Sequence, residues 1–340
     1  MGVDVQIRSH SDMVGFARCP KSHYYRNVRK IQKKGRGGVM HRGTVAHRLI
    51  QEVLLGTGLD KAVETLREEM LLQAMSPDEE IGVWELTEEA NQILERFLVK
   101  YAEDIANWQV LHVEENFTLT WAVDGVEYKL GLTPDLVVQD LRTGYVWVLD
   151  FKTVQTIPTD MPLTFQDLLY AAAVRSVYGD HVQGFILSYI RWKMPTEPRL
   201  TKTGAKRVAY LDSIDTTYQI LSQFLEEVAP ELLEDDAHRA RLAELSQKDA
   251  FFQRKMVFRT DESLDNALRD AAAWLRAMDR AEEEGAFPRN FINSGTMSCQ
   301  RCEFEPICIA ELVGDVGIEG LESAFYEVRQ ARTTYESEDE

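Results

Sequence analysis

No stretch of this 340-residue chain approaches the roughly 18 to 20 uninterrupted apolar residues that a membrane helix needs. The opening Met-Gly-Val-Asp-Val-Gln lacks the basic end and apolar run of a secretory signal, and Gly2 lacks the downstream Ser or Thr of an acylation site. A cytoplasmic location without a membrane partner is therefore expected. Cysteine is scarce: Cys19 stands alone near the start, and Cys299, Cys302 and Cys308 cluster near the end. Where the compartment keeps thiols reduced, such close spacing points to metal rather than to disulfides. No internal repeat is present, and no segment has the form of a helix-turn-helix or another duplex-reading module. The most informative lack is local. From Met13 to Gln51 there is no Asp or Glu, while ten Lys and Arg side chains occur there, which leaves −28 on the rest of a chain whose net charge is −18. An acidic body with one acid-free basic segment suits a localised polyanion-binding face. A solvated basic helix and loop is the plainer alternative.

What is present describes a globular protein. Hydrophobic residues make up 44% and charged residues 28%, so one sizeable core with helical insertions can be built. Residues 9–33 read as a helix entry followed by a basic, aromatic-bearing segment, broken by Gly35, Gly37 and Gly38. Helical periodicity begins near Gly43 and returns over 62–72 and 87–103. From Val110 the texture becomes short β-branched and aromatic runs, 113–121, 126–132, 136–138 and 145–151, with Asp124-Gly125 and Thr143-Gly144 as turns. A helix over 163–178 and a strand over 183–192 complete an α/β core with a central mixed sheet. Amphipathic helices are expected over 208–284, the clearest carrying Leu264, Leu268, Ala271, Leu275 and Met278. The Glu-Ser-Glu-Asp-Glu end is expected to be disordered.

Pro134-Asp135 opens one short strand and Asp150-Phe151-Lys152 closes the next, with fourteen residues between the aspartates. A hairpin of that length brings both carboxylates to one end. Strand alternation puts Asp150 and Lys152 on one face and turns Phe151 into the core. Two carboxylates and an ammonium in one small volume suit phosphodiester hydrolysis, in which hard oxygen donors hold a divalent ion and a lysine steadies water or charge. An ordinary surface Asp-x-Lys is the bland reading of the tripeptide taken alone.

Together these residues resemble the signature of the PD-(D/E)XK nucleases in their RecB-like form. Gly43-Thr-Val-Ala-His47 is similar to that form's Gly-x-x-x-His helix, Gln166-Asp-Leu-Leu-Tyr170 to its Gln-x-x-x-Tyr helix, and Ser9-His-Ser11 through Phe16-Ala-Arg-Cys19-Pro20 to its N-terminal segment. The resemblance implies a restriction-endonuclease-like fold, a central mixed sheet flanked by helices, with helical insertions. It also implies that His47, Asp135, Asp150 and the Phe151 carbonyl bind Mn²⁺ or Mg²⁺, that Lys152 is catalytic alongside the two aspartates, and that Gln166 and Tyr170 position DNA. A glutamate often stands where Val113-Glu-Glu-Asn begins, but Glu114 and Glu115 fit equally, and neither is assigned.

Cys299-x-x-Cys302-x5-Cys308, preceded by Phe287-Pro288 and joined by Cys19-Pro20, is similar to the cluster-bearing members of that family. These include the nuclease halves of bacterial helicase-nucleases and the CRISPR-adaptation nucleases. The resemblance implies a [4Fe–4S] cluster stapling the two ends of the chain; a four-thiolate zinc site uses the same donors. A single nuclease domain over 1–332 is expected, with 52–109 as a helical insertion, 110–192 as catalytic core, 208–284 as a helical region and 285–310 as the cluster segment, before an acidic tail over 333–340. The expected activity is that of an exonuclease on single-stranded DNA, working from the 5′ end in recombination, repair or processing. A helicase or recombination partner is not identifiable, and an origin in a phage is compatible. The basic segment, with Lys202, Lys206 and Arg207, is expected to guide the strand, and Tyr24, Tyr25 or Trp192 to stack on bases. The competing readings are an endonuclease and a non-catalytic DNA-binding or recombination-assembly protein on the same fold.

Overall fold

The computed structural model describes residues 7–34, 42–74, 76–158, 164–202, 206–247, 249–291, 299–315 and 317–329. The acidic end, residues 333–340, lies outside them. The strands, in chain order, are β1 (Arg8–Ser9), β2 (Ile31–Lys33), β3 (Trp108–Val113), β4 (Phe117–Val123), β5 (Val126–Leu132), β6 (Leu136–Asp140), β7 (Val146–Val154), β8 (Val182–Arg191), β9 (Phe252–Phe258) and β10 (Tyr326–Val328). Two compact units result: one takes the chain up to Gly38, Phe117–Leu132 and everything from Asp261, and the other takes Val39–Asn116 and Thr133–Thr260.

The second unit holds a five-stranded mixed sheet in the order β3-β6-β7-β8-β9, in which only the β7–β8 pair is parallel. That parallel pair follows from its connection: β7 and β8 are joined through the Phe165–Tyr178 helix, as parallel neighbours require. Both strands read as nearly continuous buried runs, Val146–Phe151 and Gly184–Ile190, the pattern of strands covered on both faces. The Arg42–Leu54 helix and the Phe165–Tyr178 helix both pack on this sheet. Leu49, Leu66, Ile93, Phe97, Leu149 and Phe151 share one core, so the Leu59–Leu71 and Pro77–Lys100 helices belong to the same packing as β7. The result is the expected α/β arrangement of a central mixed sheet flanked by helices.

Two expectations about strands need correction. The β4–β5 hairpin does not extend the central sheet; it joins β1 in a separate three-stranded sheet of the first unit. Strand β3, Trp108–Val113, takes the place beside β6 instead. Period-two alternation shows that a segment is a strand but not which neighbour it pairs with. Strand β9 lies in a region read as helical. Its sequence, Phe-Gln-Arg-Lys-Met-Val-Phe, alternates poorly because Arg254 is an inward position whose guanidinium lies 3.5 Å from the Tyr101 ring and bonds Asp104 at 2.9 Å. At Gly184, φ of 152° and a Cβ that would meet the Val257 carbonyl oxygen at 2.2 Å show why only glycine lets β9 approach β8 there.

In the first unit, the helix entry and the basic, aromatic-bearing segment expected over 9–33 take the form of a helix followed by shorter turns and a strand. Ser9 and Asp12 form a capping box that starts the His10–Arg18 helix. After Cys19 come a short turn, Pro20–His23, a π-helical turn, Tyr24–Val28, and then β2, which pairs antiparallel with β10. Tyr25, Ile31, Phe304, Ile307 and Tyr326 make a small core against which Cys302 and Cys308 pack. The Asp261–Glu283 helix buries Leu264, Ala271, Leu275 and Met278, close to the expected stripe. Among the described residues, no helix is long and apolar enough to cross a membrane.

Candidate active site

The paired carboxylates meet at one end of β6 and β7. Leu136 pairs with Leu149, so Asp135, one residue before β6, stands opposite Asp150. Asp135 is fixed by the main chain of the neighbouring strand, because its Oδ2 accepts the Phe151 N–H at 2.8 Å. Alternation along β7 runs as expected: Phe151 is 1% exposed in the core, and Lys152 Nζ lies 2.5 Å from Asp150 Oδ2 on the other face. Burial, then the charge of Asp135, pushes the Asp150 carboxyl up to about 6, with Lys152 opposing. Burial likewise raises Asp135, opposed by His47 and by the Phe151 amide. Two carboxylates are thus held out of water at a place where a cation would lower their energy.

The Arg42–Leu54 helix brings His47 and Gln51 to the same place, one turn apart. Gly43 explains how closely it approaches: a Cβ there would lie 3.0 Å from Thr153 Oγ1 on β7. His47 Nδ1 is 3.5 Å from Asp135 Oδ2, and its Nε2 lies 2.6 Å from the Phe151 carbonyl oxygen, as donor to it. Glu114 and Glu115, equivalent in sequence, part company here. Glu114 adopts φ of 45°, donates its N–H to the Asp135 carbonyl at 3.3 Å, and accepts Gln51 Nε2 on Oε1 at 3.0 Å. Glu115 pairs instead with His112, which bonds Tyr178. Sequence reasoning missed Gln51. Its spacing of four from His47 was the available signal, hidden because glutamine on a helix usually faces water.

Gln166 and Tyr170 open from a helix set by a Thr164–Asp167 capping box. Gln166 Nε2 donates to the Tyr170 hydroxyl at 2.8 Å. Burial pushes the Tyr170 phenol up to about 12, and Asp135 and Asp150 add to the rise, so the phenol stays protonated in the field of both carboxylates. His47, Asp135, Asp150, Phe151, Lys152, Gln166 and Tyr170 therefore gather in one unit.

The four cysteines lie in the other, where Cys19 and Cys302 approach Cys308. Burial raises the Cys308 thiol, a hydrogen bond from Arg289 opposes that, and Cys19 and Cys302 lie near enough to act on it electrostatically. Cys302 N–H donates to the Cys299 carbonyl at 2.9 Å. Cys299 Sγ lies 3.8 Å from the Asn290 carbonyl, and Asn290 bonds the Arg18 carbonyl beside Cys19.

Neither set is a finished metal cage. Among the described residues, no three or more His, Cys, Asp or Glu side chains stand at a spacing that would hold an ion. In the carboxylate site the cause is visible: His47 and the Phe151 carbonyl, both expected donors, satisfy each other, and Lys152 rests on Asp150. The donor types fit a divalent ion once those contacts part, with hard oxygens beside one imidazole.

The proposed strand-guiding residues also need revision. Of the ten cations in the acid-free stretch, Lys21, Arg26, Arg29, Arg42 and Arg48 pair with Glu311, Glu303, Glu322, Glu89 and Glu69. Lys206 pairs with Glu231. Tyr25 is 0% exposed, and Trp192 is 3% exposed with its indole N–H on Glu89, so neither can stack on a base. Tyr24 remains partly exposed.

No curated protein matches the chain in sequence. Among solved structures, one described as a "Putative exonuclease" from Eubacterium rectale shares 12% identity at a TM-score of 0.40, covering 91% of this chain and 94% of that one. The structure of SSO0001 shares 14% identity at a TM-score of 0.29, covering 88% and 97%. The sequence profile of the PD-(D/E)XK nuclease superfamily matches residues 8–309, and the chain belongs to that superfamily, nucleases that generally use divalent ions such as Mg²⁺ or Mn²⁺.

Proposed function

We propose that this nuclease is an exonuclease on single-stranded DNA, working from the 5′ end in DNA recombination, repair or processing. The observation that carries the reading is the convergence of Asp135, Asp150, Lys152 and His47 on one end of β6 and β7. Asp135, Asp150, His47 and the Phe151 carbonyl would hold Mn²⁺ or Mg²⁺, and Glu114, held by Gln51, joins them as a further oxygen donor. The imidazole tilts the preference towards Mn²⁺. A bound ion supplies Lewis acidity at the scissile phosphate. The chain's own residues do the rest. Lys152 orients the attacking water and offsets charge that builds on the phosphate oxygens. Tyr170, protonated and braced by Gln166, donates a hydrogen bond to the backbone of the strand. Cys19, Cys299, Cys302 and Cys308 would hold a [4Fe–4S] cluster with a structural role, supported by the nearness of Cys19, Cys302 and Cys308. Residues 1–332 act as one nuclease in this reading, since the chain passes between its two units four times.

The test uses linear and circular single-stranded DNA of one sequence, each end labelled separately, with Mn²⁺ and with a metal-free control. Mononucleotides released from the 5′-labelled linear strand, and an intact circle, are expected. Equal rates on both topologies would replace the exonuclease with an endonuclease.

A further inference from the structure

The first unit contains a cavity of about 820 Å³ remote in sequence from the carboxylate motif, lined by His23, Tyr24, Lys30, Phe287 and Arg329 among others. Its size falls within the range of about 300 to 1,000 Å³ typical of small-ligand sites. Two independent features of its wall call for a ligand.

The first is a pair of like charges. Val328 pairs with Ile31 at the end of the β2–β10 ribbon, and Arg329 N–H continues the ladder to the Lys30 carbonyl at 2.6 Å. Lys30 and Arg329 therefore stand opposite each other, and neither has a carboxylate partner among the described residues. Like charges facing across a ribbon repel, and an anion between them removes the penalty. Lys30 also holds φ of 52°, a conformation that side chains other than glycine and asparagine seldom adopt and that collects at working sites.

The second is an aromatic wall. The partly exposed rings of Tyr24 and Phe287 lie 4.8 Å apart between centroids at 33° to each other, and Lys21 Nζ sits 4.6 Å from the Tyr24 ring. The π-helical turn over Tyr24–Val28 widens the helix where Tyr24 leaves it.

Beneath them His23 is 2% exposed; its Nδ1 lies 2.9 Å from Asn27 Nδ2, so Nε2 carries the proton, buried against the Asp12 main chain. The acids of the wall are committed elsewhere: Asp12 caps a helix with Ser9, and Glu282 binds Arg8 at 2.8 Å. What remains for a ligand is a planar apolar face and two cations without a carboxylate partner among the described residues.

We propose that this cavity binds one nucleotide unit of a DNA strand. The base lies against Tyr24 and Phe287, and the phosphate sits between Lys30 and Arg329. An acidic peptide would satisfy the cations but not the flat face. The choice of a strand over a free nucleotide rests on the nuclease reading, because both share the same base and phosphate chemistry.

The test uses the full chain in EDTA, so that no cleavage occurs, with a fluorescent oligothymidylate and the Lys30→Gln/Arg329→Gln double variant. Anisotropy is expected to show affinity lowered about ten-fold or more, and a salt slope reduced by about 1 for each phosphate contact removed. Phe287→Leu should weaken binding without changing the slope. Hydrolysis of bis(p-nitrophenyl) phosphate with Mn²⁺ should be unchanged in the double variant, since that diester needs only the carboxylate site. A wild-type protein that binds the strand but never hydrolyses the diester refutes the nuclease reading and leaves the cavity assignment standing. Affinity within two-fold of wild type in the double variant overturns the cavity assignment. Competition by free thymidine monophosphate as strong as by the strand overturns the strand and assigns the cavity to a free nucleotide.

Discussion

Replacing Gln51 by Met tests whether the candidate metal site depends on a residue that would never touch the ion. Gln51 is 7% exposed, and its Nε2 donates to Glu114 Oε1 at 3.0 Å, while its 3.5 Å approach to the Asp135 carbonyl is too long to count for much. Methionine keeps the length of the side chain and removes the donor. A hydrogen bond to a charged group contributes about 1.5 to 3 kcal/mol, which corresponds to a ten- to hundred-fold change in an equilibrium. Independently, losing a group that orients a metal ligand typically costs about 10- to 100-fold in metal affinity or activity. Both routes give the same expectation: the Mn²⁺ concentration for half-maximal cleavage rises by about ten-fold or more in Gln51→Met. A double-mutant cycle isolates the cause. In a Glu114→Gln background, the Gln51→Met change should cost less than about two-fold, because the charged acceptor is already gone. A half-saturating Mn²⁺ concentration within two-fold of wild type in the single variant, with the fold intact by thermal melting, would refute the reasoning.

Asp150→Ala should abolish cleavage while DNA affinity and fold persist, and Lys152→Ala should do the same while Mn²⁺ still binds. Cleavage near the wild-type rate in either variant removes that residue from the chemistry. Protein purified without oxygen should be brown and carry about four iron and four sulfide per chain, with Cys19→Ala bleaching it; one zinc and no iron would discard the cluster and leave the nuclease. Burial holds the His23 imidazole below its ordinary value. The unfolded chain therefore takes up a proton below about pH 6.5 that the folded chain resists, so stability contributed by neutral His23 is present above that pH and is lost as pH falls. Urea unfolding at pH 7.5 and 5.5 should show a smaller loss in His23→Leu than in wild type; an identical loss shows that His23 does not titrate on unfolding.

The residues that gather at the carboxylates were legible because each belongs to a local pattern. Alternation placed Asp150 and Lys152 together, hairpin length placed Asp135 beside them, and helical spacing aligned Gln166 with Tyr170. What stayed hidden depends on residues distant in sequence. The acid-free stretch looked like an open cationic face, yet Lys21, Arg26 and Arg29 find their carboxylates about 280 to 290 residues later in the chain. Tyr25 and Trp192 looked available because an aromatic side chain carries no mark of its own burial. The choice between Glu114 and Glu115 turned on a single backbone angle at Glu114, for which adjacent identical residues offer no clue. Strand β9 escaped because its inward Arg254 is neutralised by Asp104 and by aromatic faces that only tertiary structure supplies.

The assembly of the first unit from three separated stretches has a consequence for synthesis on the ribosome. Every residue of the second unit has been made by Thr260, whereas the first unit waits for its last stretch, from Asp261 onward. The β4–β5 hairpin can pair with β1 early, but the helix that receives the Trp121 indole N–H at Leu268 emerges about 140 residues later. Chains fold largely in order of emergence, at about 5 to 20 residues per second. The carboxylate site can thus be complete several seconds before three of the four cysteines exist. A chain interrupted near Thr260 would hold the whole carboxylate set without Cys299, Cys302 and Cys308, so, in the proposed reading, the order of the sequence makes assembly of the cysteine cluster the final step in building this nuclease.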